Sequence, residues 1–169
     1  QTWGGTIVLN STRAGQTVPA GTYNALTLGG TTGTVTYTAA NTLTVNGTLT
    51  TALPTTTLDM STRQLLGTFT PVNNGTILTQ NVSNPPLPAG KTWQGIVGYN
   101  STTAAQTIAA GTYDNLEIGG GSGSITATLG GAITVNGSLT INATSTLSVS
   151  GSNYQINIEG DWMNNGAGF

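Results

Sequence analysis

The first half of the chain is repeated in the second half. With an offset of 90, residues 1–50 and 91–140 align without a gap and are identical at about half of their positions. Trp3 aligns with Trp93, and Gly21-Thr22-Tyr23 aligns with Gly111-Thr112-Tyr113. Because repetition at a fixed interval is typical of folds that stack similar units, the sequence predicts two tandem repeat units.

A proline-rich stretch, Asn84-Pro85-Pro86-Leu87-Pro88-Ala89-Gly90, separates the two copies. Such a composition favours an extended, semi-rigid segment. The predicted organisation is therefore a first β-repeat unit at 1–83, a linker at 84–90 and a second, shorter unit at 91–169. After small gaps, the end of the second unit aligns Asn164-Asn165-Gly166 with Asn73-Asn74-Gly75.

The composition excludes several functional classes. Only 5% of residues are charged and the net charge is -2, so the chain lacks the cations that bind nucleic acid or anionic membranes. Cysteine and histidine are absent, which excludes disulfides, zinc sites built from those ligands and Ser-His or Cys-His catalytic pairs. No apolar run is long enough to span a bilayer as a helix. We expect no cofactor, no nucleic-acid partner and no membrane insertion.

Apolar residues alternate with threonine in short segments, as in Leu26-Thr27-Leu28, Leu43-Thr44-Val45 and Ile133-Thr134-Val135. This period of two is typical of β-strands with one buried face. The pairs Asn46-Gly47 and Asn136-Gly137 predict sharp turns between such strands. The pattern predicts an all-β protein, either a β-solenoid similar to a parallel β-helix or two tandem immunoglobulin-like β-sandwiches.

Three motifs punctuate the chain: Ala20-Gly21-Thr22-Tyr23 and Val45-Asn46-Gly47-Thr48-Leu49, each with a copy 90 residues later, and Asp161-Trp162-Met163-Asn164-Asn165-Gly166. They resemble the repeats of large secreted bacterial surface adhesins, which read loosely "paGtYnnLtl", "tvnGtLtl" and "gnWtNnGtf". The first unit departs from the last motif, with Gly67-Thr68-Phe69-Thr70-Pro71 in place of the tryptophan signature. The resemblance implies an extracellular β-solenoid module of cell-surface or filament architecture, and it favours the solenoid over the sandwich.

We expect a secreted structural protein that assembles with copies of itself through its terminal strands. A strand at an open edge adds a neighbour by main-chain hydrogen bonds, and a head-to-tail contact that does not close propagates into a fibre or layer. The first residue, Gln1, is consistent with a signal peptide already removed. The predicted assembly residues are Thr2, Trp3, Ile7, Leu9, Ile156, Ile158, Trp162 and Phe169. The alternative is a monomeric adhesive or glycan-binding module of a larger surface protein.

Catalysis and metal binding have weaker candidates. Glu159 and Asp161 lie two residues apart beside Trp162, so on a strand they would share one face, as the two carboxylates of a glycosidase require. The first copy has no equivalent pair, and Asp114 and Glu117 align with uncharged residues. We therefore expect no enzymatic activity. The five acidic residues are spread over the chain without a Gly- and Asp-rich calcium repeat, so no metal site is predicted.

The duplicated aromatic residues and the threonine runs can be interpreted either as binding surfaces or as structural elements. The duplicated Trp3/Trp93 and Tyr23/Tyr113 positions favour core packing over a sugar-binding platform. Threonine runs such as Thr34-Val35-Thr36-Tyr37-Thr38 can order water for ice binding, but threonine is also a common polar strand residue. Seven sequons permit N-glycosylation of an exported chain, at Asn10, Asn46, Asn74, Asn81, Asn100, Asn136 and Asn142.

Overall fold

The computed structural model describes residues 1–29, 33–120, 124–149 and 151–166. Over these residues the chain forms strands and no helix. The strands are β1 (Thr2–Leu9), β2 (Gln16–Val18), β3 (Gly21–Leu28), β4 (Val35–Ala39), β5 (Leu43–Thr51), β6 (Thr56–Asp59), β7 (Leu65–Leu66), β8 (Thr70–Asn73), β9 (Thr76–Thr79), β10 (Lys91–Tyr99), β11 (Gln106–Ile108), β12 (Gly111–Ile118), β13 (Thr126–Leu129), β14 (Ile133–Val135), β15 (Leu139–Ile141), β16 (Thr146–Ser148), β17 (Ile156–Ile158) and β18 (Trp162–Asn164).

These strands pair in parallel and stack as a β-solenoid of about seven turns. Paired residues in neighbouring turns are 19 to 23 positions apart: Thr57 pairs with Thr76, Thr22 pairs with Thr2 and Thr44, and Thr134 pairs with Asn157. The 90-residue sequence repeat therefore covers four turns. The predicted β-solenoid is confirmed, and the alternative of immunoglobulin-like sandwiches is wrong because their strands are antiparallel.

Three sheets form the walls of the solenoid. The first sheet stacks β1, β3, β5 and the pair β7/β8. The second runs from β2 through β4, β6 and β9 into β10, β12, β14/β15 and β17/β18. The third stacks β11, β13 and β16. The second sheet thus crosses from the first sequence repeat into the second.

The long strands bend instead of ending at some of the predicted turns. Asn46-Gly47 lies inside β5, where the register against β3 shifts by one residue. Similar irregularities occur in β1 between Trp3 and Thr6 and in β10 between Trp93 and Ile96. A bulge accommodates an extra residue and bends the strand, so the Asn-Gly pair turns the wall without breaking the ladder.

The alternating apolar residues point inward and form one continuous core. Leu26, Leu43, Val45 and Leu49 are at most 1% exposed, as the period-two pattern predicts. One rung (one turn of the solenoid) cannot bury its inner face alone, so each depends on its two neighbours. The largest buried side chains are Trp93, Tyr23, Tyr37, Tyr99, Tyr113 and Phe69.

Residues 84–90 lie against the solenoid. Leu87 is only 1% exposed, and it shares a surface cleft with Leu65 and Leu66 of β7. The segment leads directly into β10, which pairs with β9 of the first repeat.

Candidate assembly surfaces

The first strand forms one end of the solenoid. Among the described residues, β1 pairs with β3 alone, so its other edge has no strand beside it. Four predicted assembly residues lie here: Thr2 is exposed, whereas Trp3, Ile7 and Leu9 are half-buried and pack against the core. The strand contains no proline and no charged residue, which are the usual means of protecting an open edge.

Trp3 shows how incomplete the core is at this end. Its ring stacks on Tyr23 of the next rung, with centroids 4.5 Å apart and planes 22° from parallel. Tyr23 is 1% exposed, and its hydroxyl donates a 2.5 Å hydrogen bond to the Pro19 carbonyl. One face of the Trp3 ring is thus used in packing, while its other side lies at the end of the solenoid.

The last described rung forms the other end. Here β17 pairs with β14 and β18 pairs with β15, and neither has a second partner among the described residues. Ile156 and Ile158 are half-buried against the core, and Trp162 is 42% exposed beside Met163 at 47%. Phe169, the remaining predicted assembly residue, lies outside the described residues.

A cleft of about 240 Å³ adjoins β1. Val8, which is 54% exposed, forms part of its wall. The other lining residues are Leu9, Asn10, Ser11, Gln16, Thr17 and Tyr37. The Gln16 amide donates to the nearby Arg13 carbonyl at 3.2 Å, a contact within its own loop.

In the second repeat, the strand edge that corresponds to the open edge of β1 is covered by other strands. β10, the second-repeat counterpart of β1, lies over β8 with its first half and pairs with β9 through Ile96 to Tyr99. Trp93 is fully buried, and Phe69 packs edge-on against it at 5.9 Å. We call this contact between β8, β9 and β10 the internal junction.

Asn73, the last residue of β8, links β10 to β5 at the internal junction. It is 1% exposed, and its Nδ2 donates to the carbonyls of Gln94 at 2.6 Å and Ile96 at 3.1 Å. Its Oδ1 accepts a hydrogen bond from Thr51 Oγ1, and that hydroxyl accepts one from the Gly75 N–H. A buried amide with these partners is satisfied on both sides, so it fixes the position of β10.

Gln106 makes the second polar connection. Its Nε2 donates to the carbonyls of Thr79 and Asn81, each at 2.9 Å, and its Oε1 accepts from the Ser101 N–H at 2.8 Å. Gln106 aligns with Gln16, which lines the open cleft at β1. Sequence reasoning did not identify Asn73 or Gln106 as important, although both occupy duplicated positions.

The tyrosines of the second repeat form a buried hydroxyl pair. Tyr99 and Tyr113 are 3.2 Å apart at their oxygens; Tyr113 donates to the Ala109 carbonyl and Tyr99 accepts from the Ala109 N–H. Burial raises the pKa of Tyr99 to about 12 and that of Tyr113 well above its usual value. These rings fill the core and are inaccessible to a sugar.

The carboxylate pair is not on a strand. Glu159 and Asp161 are both exposed in the segment between β17 and β18, so they do not share a strand face as the glycosidase interpretation would require. Asp114 and Glu117 are half-buried in β12. Within the described ranges, no three acidic residues come close enough to hold a metal ion.

The sequons differ in accessibility. Asn10, Asn46, Asn74 and Asn136 are exposed. Asn81, Asn100 and Asn142 are half-buried, and the Asn81 Nδ2 that would carry a glycan donates to the Thr62 carbonyl at 2.6 Å. The first group is therefore the better set of acceptors.

Threonines form short outward columns across neighbouring rungs. Thr2, Thr22 and Thr44 pair in register, and Leu66 follows them. Thr36, Thr57 and Thr76 form a second column of three. These columns are shorter than the extended array that ice binding requires.

The architecture and its end surfaces define a parallel β-solenoid with an open edge at each end of the described chain. In the portion of the chain that the structure describes, no helix has the length and apolarity to cross a membrane. Comparison with family models, curated proteins and solved structures finds no match to this chain.

Proposed function

We propose that this protein is a non-catalytic structural protein of the cell surface or extracellular space, and that it forms a filament or layer through its terminal strands. One observation carries the proposal: within the described residues, the hydrophobic core continues into both end rungs, and no described strand covers it beyond β1 or beyond β17 and β18. Trp3, Ile7 and Leu9 at one end and Ile156 and Ile158 at the other pack against the core while remaining partly exposed. Solenoids normally need polar caps to stay soluble.

Strand addition suits these surfaces. β1 offers an uncharged strand edge, and β17 and β18 offer a second one of the same parallel sense. Parallel stacking of one end on the other repeats the arrangement found between rungs. Because the two surfaces differ, each copy leaves a free end, and the contact propagates without closing.

The low charge and the motif resemblance support assembly at the cell surface or in the extracellular space. A chain with 5% charged residues has little electrostatic repulsion between copies. The Gly-Thr-Tyr, Val-Asn-Gly and Trp-Met-Asn-Asn-Gly motifs are similar to those of secreted bacterial adhesins, which supports an extracellular role. Four exposed sequons are compatible with a glycosylated surface.

Electron microscopy of the purified chain over a concentration series tests the proposal. We expect uniform unbranched fibres or sheets above a threshold concentration, with light scattering rising at the same point. Monomers at every concentration would overturn the proposal. In that case a glycan-binding screen would test the alternative, a monomeric adhesive module, for which Tyr154 and Trp162 are the exposed aromatics on the last described rung.

A further inference from the structure

The internal junction contains both halves of a possible contact between two copies of this chain. One half is β8 with the Asn73–Gly75 turn, which ends the fourth rung. The other half is β10, which begins the second repeat. The same two elements occur at the ends of the solenoid, where β18 leads into Asn164-Asn165-Gly166 and β1 is the counterpart of β10.

The strand pairing agrees with the alignment of the two Asn-Asn-Gly motifs at the C-terminal edge. Asn73 pairs with Thr51, and Asn164 pairs with Ile141. Thr51 and Ile141 are themselves equivalent, since they are 90 residues apart. Asn164 therefore occupies the position of Asn73, but it is exposed, whereas Asn73 is buried under β10.

We propose that a second copy of this chain covers the C-terminal edge by placing its β1 over β18, as β10 lies over β8 and the Asn73–Gly75 turn. The proposal deepens the function proposed above and rests on it. In this register the Asn164 amide donates to the carbonyls of Gly4 and Thr6 of the next copy, as Asn73 does to Gln94 and Ile96. The Thr6 N–H donates to the Gly166 carbonyl, as Ile96 does to Gly75.

Gly5 provides a sharp test because its counterpart is tightly enclosed. A Cβ on Gly95 would lie 2.5 Å from the Gly75 carbonyl oxygen and 2.6 Å from that of Asn73, and Gly95 has a φ of 61°. A Cβ on Gly5 would have nothing within 4 Å. The Gly5→Ala variant should therefore fold as a monomer like the wild type yet clash in the proposed register.

The first experiment compares fibre formation by Gly5→Ala with that by Gly151→Ala. Gly151 also has open space around it, and it lies in the turn before β17, outside both β1 and β18. We expect the concentration needed for sedimentable fibres to rise at least about tenfold for Gly5→Ala and to stay at the wild-type value for Gly151→Ala. Circular dichroism and the urea midpoint of the monomer check that both variants fold.

The second experiment measures the register by disulfide cross-linking, which the absence of native cysteine makes clean. Gly4→Cys with Asn165→Cys places thiols at the positions of Gln94 and Asn74, two exposed residues of the internal junction, where Gln94 accepts from Asn73, the residue before Asn74. Oxidised fibres should give a ladder of covalent multimers. Asn74→Cys with Gln94→Cys is the internal positive control, and Gly4→Cys with Ala132→Cys is the off-register control.

The outcomes separate this inference from the proposed function. Loss of fibres for Gly5→Ala together with a covalent ladder for the Gly4/Asn165 pair supports the register. If Gly5→Ala forms fibres at the wild-type concentration, or if the Gly4/Asn165 pair cross-links no better than the off-register pair, the proposed register is wrong but the proposed filament is not contradicted. A wild-type chain that stays monomeric overturns the filament and this contact with it.

Discussion

Trp3 and Trp93 are the same residue of the same repeat in two environments. Both begin a long strand and lie next to a tyrosine of the following rung. Trp93 is fully buried because Phe69 and β8 precede it, whereas Trp3 is only half-buried because its rung is the first. In a solenoid, the environment of a residue depends on the preceding rung as much as on its own sequence.

The largest expected difference is between alanine substitutions of these two tryptophans. Trp93→Ala leaves a cavity beside Phe69 and should lower the free energy of unfolding by about 3–5 kcal/mol. Trp3→Ala removes one stacking contact and should cost about 1–2 kcal/mol. Urea denaturation of the monomer measures both. Equal losses would show that the first rung is as well packed as the fifth.

Gly95→Ala and Gly5→Ala extend the comparison to the backbone. At Gly95 the methyl group meets two carbonyl oxygens and the residue has a left-handed conformation, so we expect a loss of about 2–4 kcal/mol. At Gly5 the monomer should change by less than about 0.5 kcal/mol. The denaturation midpoints decide this, and a destabilised Gly5→Ala monomer would contradict the open surroundings of Gly5.

Asn73→Ala and Asn164→Ala compare the polar contacts. Removing the buried Asn73 amide leaves the Gln94 and Ile96 carbonyls and the Thr51 hydroxyl without this partner, at a cost of about 2–3 kcal/mol. Asn164→Ala should leave the monomer within about 0.5 kcal/mol of wild type, because the side chain is exposed. A similar loss at both positions would show that Asn164 stabilises the monomer itself.

The sequence predicted the fold better than it predicted the functional surface. Alternation in segments such as Leu26-Thr27-Leu28 identifies strands because burial of one face imposes a period of two. The sequence did not indicate the shorter spacing of 19 to 23 residues, since neighbouring rungs such as β3 and β5 share shape but little sequence. Parallel stacking requires only that apolar residues recur on the inner face.

The internal junction could not be predicted in the same way. Asn73 and Asn164 lie in the same Asn-Asn-Gly motif, yet one is buried and the other exposed. The difference arises because β10 covers Asn73 and no described strand covers Asn164, and a local sequence pattern does not indicate such a cover. Asn46-Gly47 gives a similar lesson, because the expected turn is a bend inside β5, where pairing with β3 continues on both sides.

The tyrosines provide the smallest expected difference. The second repeat has the hydroxyl pair Tyr99–Tyr113, whereas Leu9 replaces the first of these in the first repeat. Burial raises the pKa of Tyr99 to about 12, so the folded state keeps its proton where the unfolded state, with a pKa near 10, has lost it. The contribution of the protonated Tyr99 to the free energy of unfolding is therefore complete below pH 10 and is lost as pH rises toward 12.

At pH 11 this loss amounts to about 1.4 kcal/mol for each tyrosine that stays protonated in the folded state. Urea midpoints between pH 8 and pH 11.5 measure it, and Tyr99→Phe should flatten part of the decline because it removes one ionisable group. Tyr23→Phe is the comparison in the first repeat, where burial also raises the pKa of the hydroxyl that bonds to the Pro19 carbonyl, so this variant should flatten a further part of the decline. A decline that Tyr99→Phe does not reduce would show that the second repeat opens before its tyrosines ionise, and the buried pair would then not limit alkaline stability.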